Sequence, residues 1–129
     1  MSSQALPDIP DLVYDHEDER YYLSSYPGAT VMLIPDTDYD AWRITALEVH
    51  RELRRRGYGT QLLETILRWA DANHQRLTLF VDPIGDDGPN TNRLIRWYKK
   101  HGFRHIRGKS RRLMQRRHQE HHHDYADDL

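Results

Sequence analysis

Apolar positions in the first 49 residues come in short groups of strand length. Leu12 to Tyr14 is a brief run behind Pro7 and Pro10. Tyr21 to Tyr26 and Thr30 to Ile34 are rich in Tyr, Val, Leu and Ile and flank Pro27-Gly28, a pattern that reads as a β-hairpin. Asp36-Thr37-Asp38 marks the next turn and Trp42 to Val49 the next strand. Three antiparallel strands are therefore expected to open the domain. Residues 1–20, with two prolines and an acidic run, hold at most a short strand and leave no room for a long helix.

From Gly57 the period changes. Leu62, Leu63, Ile66, Leu67 and Ala70 fall on one face of an amphipathic helix that runs to about Asn73. Leu77 to Val81 is a continuous apolar run, as expected of a strand buried on both faces. Strand, helix and strand make a β-α-β crossover, whose two strands should lie parallel. A second helix is expected from about Asn92 to His101, with Leu94, Ile95 and Tyr98 inside and Gly102 as its stop. Phe103 to Arg107 and Arg111 to Arg117 read as closing strands around Gly108-Lys109-Ser110. The order predicts an α/β (α+β) domain over residues 1–117, with a mixed sheet, antiparallel front strands, one crossover, a C-terminal helix and a closing hairpin. Residues 118–129 lack any core-forming pattern and read as a disordered His-rich, acidic tail.

Composition narrows the chemistry. The chain has 129 residues, enough for one ordinary domain, and contains no Cys, which excludes disulfides, Cys-ligated metals and a cysteine nucleophile. No apolar run approaches the ~18 residues of a membrane span, and the N-terminus has no secretory leader pattern, so a cytoplasmic protein without a membrane partner is expected. The net charge of -1 conceals segregation: residues 1–42 carry -8, residues 43–117 carry +11 and the tail -4. A basic segment this dense suits an anionic partner, either a phosphorylated small molecule or a nucleic acid, unless its cations merely solvate helix faces.

The informative stretch is Leu47 to Thr60, where a strand passes into a helix through Arg54-Arg55-Arg56-Gly57-Tyr58-Gly59-Thr60. A helix N-terminus offers backbone N–H groups and a partial positive charge, and glycines let an anion approach the chain. Three arginines just ahead of a helix start are electrostatically frustrated without an anion, and the first acid inside the helix comes as late as Glu64. The plainer alternative is a turn with three solvated arginines.

Val49 through Thr60 resembles the acyl-CoA-binding motif of the GNAT (general N-acetyltransferase) superfamily, a Gln/Arg-x-x-Gly-x-Gly/Ala signature matched by Arg54, Gly57 and Gly59. Leu94 to Phe103 resembles the closing motif of the same family, a helix bearing a Tyr that ends in Gly-Phe. The likeness covers roughly residues 30 to 117. It implies that Arg54, Arg55, Arg56, Gly57, Tyr58, Gly59 and Thr60 hold the pyrophosphate of acetyl-CoA (coenzyme A). It further implies that the backbone of Leu47 and Val49 pairs with the pantetheine arm and stabilises the oxyanion, and that Tyr98 protonates the departing thiolate. The activity implied is N-acetyltransfer from acetyl-CoA to an amine acceptor by direct attack through a tetrahedral intermediate, since neither a Cys nor a Ser-His-Asp pattern supplies a covalent route.

Two departures from the family pattern matter. An Asn usual seven residues before the Tyr is Thr91 here, so the pantetheine contact passes to a neighbour, Asn92 being the candidate. The front segment is too short for the family's strand and two helices, so the acceptor cleft should be open or covered by a second copy in a homodimer. Period 2 sets Glu48 and His50 opposite Leu47 and Val49, and Glu48 is the candidate general base. Asp82, Asp86 and Asp87 fit turn chemistry rather than a calcium loop, and the tail histidines have no framework around them, so no metal is expected. A basic nucleic-acid-binding module, or a related enzyme that modifies a nucleic acid or a nucleic-acid-bound protein, is the alternative reading.

Overall fold

The computed structural model describes residues 6–25, 27–49, 57–81 and 91–119. Seven strands and two helices follow in the order β1 (Leu12–Asp15), β2 (Arg20–Leu23), β3 (Ala29–Asp36), β4 (Ala41–Val49), α1 (Tyr58–Ala72), β5 (Leu77–Phe80), α2 (Thr91–Lys100), β6 (Arg104–His105) and β7 (Leu113–Arg116). They form one mixed sheet of strand order β1-β2-β3-β4-β5-β7-β6, parallel between β4 and β5 and antiparallel at its other pairings. Leu12 to Tyr14 is thus a fourth antiparallel front strand, paired with β2 from Leu12↔Leu23 to Asp15↔Arg20. Between residues 6 and 36 the described chain holds strands and turns without a helix, the reduced front that the short segment implied.

Both helices pack side by side on one face. The periodic residues of α1, Leu62, Leu63, Ile66, Leu67 and Ala70, are all buried, and they share one core with Val31, Leu33 and Ile44 of the sheet and Ile95 and Tyr98 of α2. His101, just past α2, brings Nε2 to 3.8 Å from Glu64 Oε2 of α1. Burying each large aliphatic side chain contributes about 1.5–3 kcal/mol, so the helical spacing of these few residues is what seats α1.

Two expected strands differ in detail. Leu77, Thr78 and Leu79 are buried as a two-faced strand requires, but Phe80 is 49% exposed on the face away from the helices. The hydrophobic run alone could not show that one face has no covering layer there. Phe103 is not a strand residue but a fully buried plug against Tyr98, with ring centroids 5.6 Å apart, and β6 keeps only Arg104 and His105. Gly102 sits at φ +97, the left-handed stop expected after α2.

A polar lock closes the lower end of the sheet, where α1 and α2 finish. Arg116 of β7, 6% exposed, donates Nη1 and Nη2 to the two Asp71 carboxylate oxygens at 2.8 and 3.2 Å and Nε to the His101 carbonyl at 2.8 Å. The Gln119 amide donates to Asp71 Oδ1 at 2.8 Å, and His118 stacks edge-on against His74. Residues 118 and 119 are therefore tied to α1.

Candidate functional site

The opposite, upper end is built differently. β4 pairs with β5 only from Trp42↔Leu77 to Ile44↔Leu79 among the described residues, while it stays with β3 as far as Ala29↔Val49. β5 meanwhile follows β7, with Phe80 opposite Leu113 and the Val81 amide donating to the Arg112 carbonyl at 2.8 Å. The two parallel strands therefore part beyond Ile44 and Leu79. The β5-facing backbone groups of the last β4 residues have no strand partner among the described residues, a row of donors and acceptors that an extended ligand can complete.

A bulge shapes the parted strand. The β3 register passes from Met32↔Thr45 to Thr30↔Glu48, so β4 carries one residue more than its neighbour, and Ala46 sits at φ +52. The extra residue resets the pleat: Trp42 and Ile44 face the core, and so does Leu47, three positions on. Glu48 falls on the helix-free face, 49% exposed, with Oε1 3.6 Å from Arg20 Nη1. That same Arg20 Nη1 donates to Thr30 Oγ1 at 3.1 Å and to the Ala46 carbonyl at 3.4 Å, spanning the bulge from β2. Sequence reading missed both Ala46 and Arg20, although the phase slip between Ile44 and Leu47 was there to be read.

At the mouth of the parting, α1 begins at Gly57, whose φ of +82 supplies a left-handed cap that no side chain completes. There is no acid in the first turn, and the helical ladder opens with Gln61 N–H to the Gly57 carbonyl at 2.9 Å. The amides of Gly59 and Thr60 precede that bond and are directed out of the helix end, where an anion is favoured. Tyr58 and Thr60 are half-buried beside them. Arg54, Arg55 and Arg56, with His50 and the aspartates 82, 86 and 87, lie outside the described residues, and so does any placement of their side chains.

Tyr98 comes from α2 and is 8% exposed, packed against Trp97 and Phe103. Among the described residues no hydrogen bond reaches its hydroxyl and no fully buried side-chain oxygen lacks a partner, so the hydroxyl keeps a small contact with solvent. Burial of the ring raises its pKa from 10.0 to about 12, which keeps the proton on at any physiological pH. Asn92 is exposed on the first turn of α2. A cavity of about 400 Å³ between Glu64, Arg68, Lys99 and Arg104 lies at the lower end and gathers none of these residues. Among the described residues no three His, Asp or Glu side chains converge as a metal site, and no helix is long and apolar enough to cross a membrane.

Comparison with known proteins places these features in a wider set. The acetyltransferase (GNAT) domain family model matches residues 12–105. The anti-CRISPR protein AcrVA5 superposes with a TM-score of 0.56 at 25% identity, over 68% of this chain and 88% of its own. PH1933 from Pyrococcus horikoshii shares the fold at 19% identity and a TM-score of 0.55, over 80% of this chain and 67% of its own. The N-acetylglutamate synthase of Neisseria gonorrhoeae, solved with coenzyme A and N-acetyl-glutamate, shares it at 18% identity and a TM-score of 0.54, over 81% of this chain but only 27% of its own. No curated protein matches the sequence.

Proposed function

The chain belongs to the acetyltransferase (GNAT) family, and from that premise we propose that it transfers an acetyl group from acetyl-CoA to an amine at the parted end of β4 and β5. The observation that carries this reading is the parting itself. It leaves a strand edge free to pair with an extended pantetheine arm, directly beside a helix start whose glycine cap and acid-free first turn suit a pyrophosphate. Leu47 and Val49 would supply the strand edge, and Gly57 to Thr60 the phosphate cradle with Arg54, Arg55 and Arg56 ahead of it. Asn92, on the first turn of α2, would take the amide contact that Thr91 lacks.

The chemistry follows from the same placement. A backbone N–H beside Leu47 holds the oxygen that gains charge as the amine attacks the thioester carbon. Glu48, on the exposed face, accepts the amine proton directly or through water. Tyr98 faces the departing sulfur with its hydroxyl protonated. A donor at about 12 is a weaker acid than a free tyrosine. The acceptor enters from the helix-free face, where Val13, Ile34 and Phe80 are exposed; a homodimer would use a second copy to wall it.

Calorimetric titration with acetyl-CoA tests the reading, with Gly57→Val as the comparison. A side chain there would meet open space among the described residues, but the φ of +82 excludes a β-branched residue, so the turn must shift while the core stays intact. The expected outcome is a clear heat of binding for the wild type and at least about a tenfold weaker affinity for the folded variant. Equal affinities reject the site.

A further inference from the structure

Residues 91–119 contain eleven Lys and Arg and no Asp or Glu. The fold collects them at one edge of the molecule, because α2, β6 and β7 are neighbours and the sheet order ends in β7-β6. Asp15, Glu17, Asp18 and Glu19 lie at the other edge, on β1 and its turn into β2. Arg116 is the cation of this segment that turns inward, to Asp71. Arg107, Lys109, Arg111 and Arg117 are exposed, and no described carboxylate lies within ion-pair distance of any of them. These four like charges thus have no carboxylate partner among the described residues, and three of them sit on or beside a hairpin turn fixed by Lys109 N–H to the Ile106 carbonyl and Leu113 N–H to the Ser110 carbonyl.

We infer that the α2–β6–β7 edge docks the phosphate backbone of double-stranded nucleic acid. Apart from the inward-turned Arg116, seven of the ten cations are Arg, whose planar fork pairs with phosphate oxygens through two donors at once. The large apolar side chains exposed among the described residues are Leu6, Val13, Ile34 and Phe80, all outside this segment, so the surface has no apolar anchor for a membrane. It also has no exposed Phe, Trp or Tyr on which a base would stack, which makes the contact one of charge and not of sequence. The hairpin turn stands at the upper end, since the Arg112 carbonyl accepts from Val81 at the end of β5. A docked duplex therefore runs past the mouth of the parted strands, and an acceptor amine on a nucleic-acid-bound protein is delivered there.

Fluorescence anisotropy of a labelled mixed-sequence duplex of about 20 base pairs, titrated with the full chain between about 50 and 200 mM KCl, tests this. The expected result is micromolar binding at the low salt, with a log–log salt slope of about -4 to -6. Replacing Arg107, Lys109 and Arg111 together by Ala should weaken binding by about ten- to a hundredfold and flatten the slope by about 3, with melting temperature and acetyl-CoA affinity unchanged. Glu17→Ala at the opposite edge should not weaken it. Any of four results overturns the inference: no binding at low salt, a triple variant indistinguishable from wild type, complete displacement of the duplex by acetyl-CoA, or capture by phosphatidylserine vesicles in place of the duplex. Because acetyl-CoA binding is read on the same samples, failure here is separable from failure of the acyl-transfer reading.

Discussion

The two ends of the β4–β5 pair are made of adjoining residues and do opposite things. At the lower end the strands share three register pairs, and Asp36 Oδ2 accepts from Thr78 Oγ1 at 2.6 Å and from Arg43 Nη2 at 2.8 Å. The Arg116–Asp71 pair then binds β7 to α1. At the upper end no such ties cross from β4 to β5 among the described residues, and Ala46 is held in a left-handed conformation. The contrast teaches that the parted strands need a closed counterpart. A parallel pair that opens at one end keeps a fixed angle only if the other end is pinned.

The largest effect should fall on the chemistry and leave the lower lock untouched. Tyr98→Phe keeps the ring that packs on Phe103 and removes the hydroxyl, so turnover should fall by roughly 10² to 10⁴ while acetyl-CoA affinity and melting temperature stay near wild type. Full activity, measured where chemistry limits the rate, would take the residue out of the mechanism. The converse cut is Asp71→Ala, which strands the buried Arg116 guanidinium and should cost about 3–5 kcal/mol by chemical denaturation. Affinity for acetyl-CoA, per folded molecule, should survive; losing it would show that the two ends are coupled rather than divided.

Ala46→Val probes the joint between the ends. A β-branched residue at φ +52 costs about 1–2 kcal/mol and pulls the bulge towards a regular ladder, so acetyl-CoA should bind about tenfold more weakly. Ala46→Gly should bind as wild type and be no less stable, which separates backbone shape from side-chain loss. The smallest effect is a pH dependence. Tyr98 releases its proton near pH 10 when unfolded but near 12 when folded, so the stability it confers is intact below pH 10 and is lost as the pH rises towards 12. Tyr21, raised to about 12 by burial and then by Tyr14 and Asp8, behaves alike. Alkaline melting curves of Tyr98→Phe should fall less steeply than those of the wild type, and equal curves would mean the ring is solvated.

The helices were legible because their signals are local. The face of α1, the Gly57 start and the Gly102 stop each lie within a few residues of what they decide. The bulge was not, since it is defined against β3, and its Arg20 brace reaches across 26 residues to the Ala46 carbonyl. Phe80 and Phe103 departed from the expected strands for a similar reason: burial depends on which layer covers the sheet, and the hydrophobic pattern records only the strand. For the candidate site, the motif brought Gly57 to Thr60 and Tyr98 forward, while the strand parting is a property of the sheet.

The lower lock also fixes where a tether would leave the protein. Gln119 is clamped to Asp71, thirteen residues along α1 from Tyr58, and at 1.5 Å per residue that is about 20 Å from the helix start. A surface linkage or fused partner attached just after residue 119 therefore begins its path at the far end of the helix from the parted strands.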